Sequence, residues 1–311
     1  MPQRKEIRTL RVTGPPVRLD RFLHESCPAI STNRWRRLIA AGELTVDGRR
    51  AAKGTMLRAG QQVALSGACF EPSGPAPEPE GELEIIYQDD DLLALNKPAA
   101  CHTHPLTPDE TGTLANRLLT VFPELAGIGD FGPLQPGLLN RLDFATSGIV
   151  LVARSEKAWK RLRRQFAEHL IRKEYLAEAT GEIKAALAVN QSLTHDRSDR
   201  RRMVVGSLPC RGLYPARTEI EPLGFDRIRD LTTVRLVMYS GVMHQLRVHL
   251  ATVGHPLVGD RLYGGAAFAT GVEAEPFESA VFHLHCRRLR LADGWVITAP
   301  LPDWYTLSES I

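Results

Sequence analysis

The stretch Asn140-Arg141-Leu142-Asp143-Phe144-Ala145-Thr146-Ser147-Gly148 sets an acid, a cation and two hydroxyls directly ahead of an apolar run, Ile149-Val-Leu-Val-Ala153. Polar groups at the mouth of a buried strand rest on a rigid support, where reacting groups can be held in place. Asp143 is the only acid between Asp130 and Glu156. Beside Arg141 it suits a nucleophile or a base kept ionised by a cation. It equally suits a turn cap, with Thr146 and Ser147 satisfying backbone groups. A second stretch, Arg172-Lys173-Glu174-Tyr175, offers a tyrosine in a short strand. That ring is an aromatic face for a base, a phenol that passes a proton, or a half-buried sheet residue. In the third stretch, Ser240 to Leu250, helical spacing brings His244 and Arg247 onto nearby faces and turns Leu246, Leu250 and Val253 to the packing side. A helix start with an arginine suits a phosphate or a carboxylate; a solvated amphipathic helix explains the same pattern without chemistry.

Other chemistries find little support. The pairs His102/His104 and His283/His285 alternate as on strands, but no cysteine or carboxylate completes a ligand pattern. No glycine-rich loop follows a strand at the spacing of a dinucleotide or phosphate site. No metal and no cofactor is expected. Cys27, Cys69, Cys101, Cys210 and Cys286 are far apart and odd in number, which fits free thiols in a reducing cytoplasm and not a disulfide framework.

The elements that must position these residues follow from composition and patterning. The chain has 311 residues, 43% hydrophobic and 24% charged, which excludes a mainly disordered or fibrous protein. No apolar run approaches the roughly 20 residues of a membrane helix, and no secretory signal pattern opens the chain. The net charge of +3 is unevenly spread. Residues 1–70 hold 13 Lys or Arg against 5 Asp or Glu, and residues 71–84 hold five Glu and no cation. The remainder is balanced. A small basic unit beside a neutral larger one points to a polyanion, nucleic acid first.

The run Glu71 to Glu82 alternates Pro, Gly and Glu and reads as a solvated linker. Two domains are expected, 14–70 and 83–311, joined by residues 71–82. In the first, Leu19, Phe22 and Leu23 mark a short helix, and Ser31 or Thr32 caps a second one carrying Trp35, Leu38 and Ile39. Strands follow at Leu44–Val46 and Gln62–Leu65, with Asp47-Gly48 as a tight turn. Arg34, Arg36, Arg37, Arg49, Arg50, Lys53 and Arg58 stud this unit, and guanidinium forks match phosphate geometry. In the second domain, strands are expected at 83–87, 92–95, 149–153, 175–179, 232–239 and 281–286. Ser155 caps a helix with Trp159, Leu162 and Phe166 inward, and a helix is expected from His244 to Val253. The pattern predicts an α+β fold with a mixed, mostly antiparallel sheet.

Taken together, the three stretches resemble the signature motifs of the RluA family of RNA pseudouridine synthases. Asn140-Arg-Leu-Asp143-x-x-Thr-Ser-Gly148 resembles that family's catalytic loop, and Lys173-Glu-Tyr175 its Lys-x-Tyr element. Gly241 to Leu250 resembles its Gly-Arg-Thr-His-Gln-Ile-Arg-Val-His-Leu block. Leu95-Asn96-Lys97-Pro98, Gly254-His-Pro256-x-x-Gly-Asp260-x-x-Tyr263-Gly264 and Phe282 to Cys286 also follow its pattern. Residues 83–302 carry this resemblance. The first domain resembles the alpha-L RNA-binding module through Arg18-Leu19-Asp20, Gly42-x-Leu-x-Val46-x-Gly48 and Leu57-x-x-Gly60-x-x-Val63.

The resemblance implies a cofactor-free isomerase that turns a uridine of structured RNA into pseudouridine, ribosomal RNA ahead of tRNA. It implies Asp143, Tyr175 and Arg247 as catalytic residues, with Asn140, Arg141, Thr146 and His244 around the nucleotide; Arg34 and Arg37 would grip RNA from the first domain. A cytoplasmic monomer with no membrane partner is expected. The family has His where Asn140 stands and Arg-Thr where Val242-Met243 stand. These departures point to altered RNA choice or to a weakened enzyme. A non-catalytic RNA-binding protein on the same scaffold is the rival reading. A glycosidic-bond hydrolase would need a second carboxylate, which the local motif does not supply.

Overall fold

The computed structural model describes residues 8–28, 30, 32–52, 54–69, 74–78, 81–107, 110–207, 212–265 and 281–305, without the side chains of residues 32–34, 37 and 68. The chain divides into two compact units, Met1–Ser73 with Asp130–Pro133, and Gly74–Gly129 with Leu134–Ile311.

In the first unit, β1 (Arg8–Arg11), β2 (Val17–Arg18), α1 (Leu19–Ser26) and α2 (Thr32–Ala41) precede β3 (Leu44–Val46), β4 (Arg49–Arg50), β5 (Met56–Leu57) and β6 (Gln62–Leu65). A four-stranded antiparallel sheet runs β1-β6-β3-β4, and β2 pairs β5. Strand β1 lies before the expected start at residue 14; its pairing with β6 draws it into the unit. Leu19, Leu23, Trp35, Ile39, Leu44, Leu57, Val63 and Leu65 form the core. Asp47 and Gly48 both have positive φ, +49° and +77°, as a tight turn between two strands requires. Two arginines expected to face phosphate also serve the fold. Arg36 Nε donates to Asp20 at 3.3 Å, and Arg50 Nη2 donates to the Ala40 carbonyl at 2.7 Å. Ser31 and the side chains of Arg34 and Arg37 lie outside the described residues.

The second unit opens with β7 (Ile85–Gln88), β8 (Leu92–Lys97), α3 (Leu114–Val121), β9 (Ser147–Ala153) and α4 (Glu156–Ala167). It continues through β10 (Arg172–Thr180), β11 (Leu187–Asn190), β12 (Leu193–His195), β13 (Met203–Val205), β14 (Arg217–Asp226) and β15 (Leu231–Met238). It ends with α5 (Gln245–Thr252), β16 (Leu284–Arg290) and β17 (Val296–Thr298). Among the described residues nine strands form one sheet in the order β11-β14-β15-β10-β16-β9-β8-β7, with β17 on β16. Every pairing in it is antiparallel except β16 with β9. This is the expected α+β fold with a mixed, mostly antiparallel sheet.

The parallel seam is short, with His285 opposite Ser147 and Cys286 opposite Gly148. Gly148 is required there. Its φ is +105°, and a Cβ would lie 2.3 Å from the Cys286 carbonyl oxygen. Strand β9 is apolar on both faces because both are covered, and Ile149 to Ala153 all belong to the core. Ser155 Oγ accepts from Ala158 N at 3.1 Å and starts α4, whose Trp159, Leu162 and Phe166 are buried as the periodicity predicts. Strand β14 escapes sequence reading because Pro222 and Gly224 interrupt it; the sheet absorbs both with a register shift between them.

Part of the run expected to be a solvated linker is bound to the second unit. Asn116 Nδ2 donates to the Ala76 carbonyl at 2.8 Å, and Glu78 N donates to Thr120 Oγ1 at 2.7 Å. A proline-rich segment has few backbone partners of its own, so helix α3 supplies them. Among the described residues no helix is long and apolar enough to cross a membrane.

Candidate active site

The parallel seam sets the first stretch beside the sheet strands that carry Tyr175, and a side-chain bond from α5 joins the third. Asp143 lies in the loop that enters β9, Tyr175 lies on β10 opposite Cys286 of β16, and Arg247 lies in α5. Helix α5 is not the solvated amphipathic helix that its spacing also permitted. Gln245 through Leu250 are all buried, so a buried arginine must find anions inside the protein.

Arg247 finds two. Its Nε and Nη2 donate to the two oxygens of Asp260, at 2.7 and 2.9 Å, and its Nη1 donates to Asp143 Oδ2 at 3.2 Å. The Asp260 pair is a bidentate fork, the strongest geometry a guanidinium has. The rings of Tyr263 and Phe282 lie 5.0 and 4.6 Å from the guanidinium carbon. Burial opposes the charge on Arg247, but the bonds and charge of Asp260, with that of Asp143, outweigh it and raise its pKa. Asp260 is thus the second carboxylate that the local motif lacked, delivered by a distant loop. It is 1% exposed and each oxygen accepts from Arg247, so it faces the guanidinium and not solvent. The Asp143 side chain is 33% exposed and open to a substrate.

His244 stands at the head of α5 in the left-handed region, φ +55°, so the helix begins one residue later than expected. Its Nε2 lies 3.7 Å from Asp143 Oδ2 and its Nδ1 lies 2.8 Å from Tyr263 Oη. Tyr175 is 6% exposed. Burial, then neighbouring Cys286 and the charge of Asp143, lift its phenol well above the ordinary range, so it stays protonated.

The remaining expected residues lie along the same loop. Asn140 turns toward β9: its Nδ2 donates to the Ile149 carbonyl at 3.1 Å and its Oδ1 accepts from Leu151 N at 2.8 Å. Both ends of the amide therefore hold the loop to the strand, with one N–H and one lone pair to spare. Thr146 is buried, and its N–H closes the turn onto the Asp143 carbonyl at 3.1 Å. Arg141 is exposed beside the loop.

Two buried lysines hold the loops from behind. Lys97 Nζ donates to the carbonyls of Pro98, Cys101 and Phe144, at 2.7, 2.7 and 3.3 Å, which fixes the residue after Asp143. Lys173 Nζ donates to the carbonyls of Tyr239 and Ser240, at 2.6 and 3.0 Å, which fixes the turn leading to His244. Burial draws each of these lysines down to about 8. Sequence reading gives no role to Lys97, Lys173, Asp260 or Tyr263. Their only signal is membership of the Asn-Lys-Pro, Lys-x-Tyr and Gly-Asp-x-x-Tyr patterns.

Comparison with known proteins agrees with this geometry. The RNA pseudouridylate synthase family model matches residues 91–252, and the S4 domain model matches residues 17–63. An uncharacterized RNA pseudouridine synthase of Aquifex aeolicus is 33% identical over 261 residues, covering 83% of this chain and 80% of its own. The ribosomal large subunit pseudouridine synthase D of Yersinia pestis is 33% identical over 249 residues, covering 80% and 73%. Among solved structures, human RNA Pseudouridylate Synthase Domain Containing 1 superposes with a TM-score of 0.56 at 29% identity, covering 73% of this chain and 86% of that one. The family-model matches and relatives that align over most of the chain make this protein a member of the RluA-type RNA pseudouridine synthases, with an S4 RNA-binding domain ahead of the catalytic one.

Proposed function

We propose that this synthase isomerises a uridine of large-subunit ribosomal RNA, with Asp143 as the residue that engages the nucleotide. The observation that carries the reading is the one-sided hold on Asp143. Oδ2 takes Arg247 Nη1 at 3.2 Å and faces His244 Nε2 at 3.7 Å, whereas Oδ1 has no donor among the described residues. Oδ1 is therefore the oxygen available to react.

The isomerisation conserves every heavy atom. The C1′–N1 bond breaks, the base turns, a C1′–C5 bond forms, the C5 proton leaves and N1 takes one up. A carboxylate assists either by adding to C1′ or by adding to C6 of the base; both routes use the same free oxygen. Tyr175 lends its ring face to the base, since its phenol holds its proton. The uridine must leave its stack to reach this recess. The S4 domain gives a longer grip on RNA shape and phosphate, with Arg34 and Arg37 as its contacts. The name of the Yersinia relative supports ribosomal RNA over tRNA. The protein works as a monomer in the cytoplasm; the buried thiols of Cys27, Cys101 and Cys286, none of them in a disulfide, support the reducing compartment.

Mapping pseudouridine in total RNA from cells with and without the gene tests this directly, with rescue by wild type or Asp143→Ala. One large-subunit uridine should lose its mark and regain it with wild type alone. A mark restored by Asp143→Ala would remove Asp143 from the chemistry. No changed site, with RNA binding intact, would favour a binding protein on this scaffold.

A further inference from the structure

Tyr263 joins separate parts of the catalytic unit at one oxygen. Its Oη lies 2.8 Å from His244 Nδ1 and accepts the backbone N–H of Met203, on β13, at 2.9 Å. A phenol carries one proton, and among the described residues His244 Nδ1 is the acceptor within its reach. Burial pushes this phenol up to about 12, so the proton stays on it. Burial also draws His244 below the ordinary imidazole range, against the pull of Asp143, so the ring is neutral at pH 7. The other charged or titratable groups facing it are Arg247, Asp260 and His195.

A neutral imidazole that accepts at Nδ1 carries its own proton on Nε2. Nε2 is the nitrogen turned toward Asp143 Oδ2, at 3.7 Å. The opposite tautomer would leave the Tyr263 hydroxyl proton without an acceptor among the described residues in a partly buried place, which is costly. It would also aim a lone pair at a carboxylate.

We propose that Tyr263 is a positioning residue that fixes His244 as its Nε2–H tautomer, so that the imidazole and Arg247 together hold Oδ2 of Asp143 and leave Oδ1 to react. The proposal rests on Asp143 engaging the nucleotide. The separation of 3.7 Å closes to a hydrogen bond once substrate displaces water, as catalytic contacts commonly tighten on binding.

Full-length Tyr263→Phe keeps the ring beside Arg247 and removes the oxygen. Nitrogen-15 NMR of labelled histidine in the free protein reads the tautomer without turnover. Wild type should carry the His244 proton on Nε2, and Tyr263→Phe should shift it toward Nδ1. With a large-subunit ribosomal RNA transcript tritiated at uridine C5, single-turnover tritium release should fall about tenfold while RNA affinity stays within about twofold. His244→Gln presents an amide N–H near the Nε2 position without help from Tyr263. In that background Tyr263→Phe should cost less than about threefold, a non-additive cycle.

A wild-type His244 protonated on Nδ1 overturns the proposal before any variant is made. So does a tautomer unchanged in Tyr263→Phe, or equal losses in both backgrounds. If wild type releases no tritium while the tautomer still depends on Tyr263, the functional reading fails and the positioning of His244 stands.

Discussion

Replacing Asp260 with asparagine asks whether the buried ion pair behind the site both stabilises the unit and aims Arg247. The side chain of Arg247 is 9% exposed and that of Asp260 is 1%, and the two share two charge-assisted bonds at 2.7 and 2.9 Å. Breaking a buried pair by removing one partner costs about 3–5 kcal/mol, because it strands the other charge. Asparagine keeps one acceptor and the same shape, and Asp143 still faces Arg247, so about 3 kcal/mol is the expected loss. For a domain of this size each kcal/mol moves the melting point by roughly 2–4 °C, which gives a fall of about 6–12 °C. Calorimetry of the full chain reads the shift, and single-turnover pseudouridine formation reads the rate, expected to fall at least about tenfold as Arg247 re-aims.

Asp143→Asn is the matched control. Its side chain is 33% exposed and makes one contact to Arg247 at 3.2 Å. Its removal should change stability by less than about 1 kcal/mol and abolish activity. Asp260→Asn melting within about 2 °C of wild type, with an unchanged rate, would refute the reasoning.

Three further outcomes follow from the same geometry. Gly148→Ala sets a Cβ 2.3 Å from the Cys286 carbonyl at a φ of +105° and should part β9 from β16, read as loss of the soluble fraction and of the cooperative melt. Asn140→Ala strands the Leu151 N–H inside the sheet and should cost about 1–3 kcal/mol by urea unfolding while leaving RNA affinity unchanged; weakened RNA binding would return Asn140 to the nucleotide. Burial draws His285 down to about 4 from an ordinary 6.5, so the unfolded chain binds this proton first as pH falls. Its contribution is intact above pH 6.5 and is lost toward pH 4, by about 3 kcal/mol; His285→Gln should flatten that part of the stability curve.

Much of the site was legible before folding was considered, because the chemistry is written in short local motifs. Asp143 stands alone before an apolar run, and that run had to be a buried strand. The Ser155 cap, the Trp159-Leu162-Phe166 stripe and the Asp47-Gly48 turn are set by neighbours within a few residues, where periodicity and dihedral preference decide. Family motifs carried Asp143, Tyr175 and Arg247 into one site although 104 residues separate the aspartate from the arginine that bonds it.

Only the tertiary structure decided what those residues touch. Sequence spacing left α5 free to be a solvated helix; the sheet buries it, and burial forces Arg247 onto Asp260. Asn140 carries no sequence signal for the bonds it makes: its amide holds the Ile149 carbonyl and the Leu151 N–H of β9. Part of the proline-rich run is bound to α3 because Asn116 and Thr120 meet its backbone there. Tyr263 and Lys173 gain their roles from backbone groups of Met203, Tyr239 and Ser240, which carry no side-chain signature. Local propensity fixes an element from its own residues, whereas the partner of a buried charge or a stray carbonyl depends on which distant segment the sheet order brings beside it.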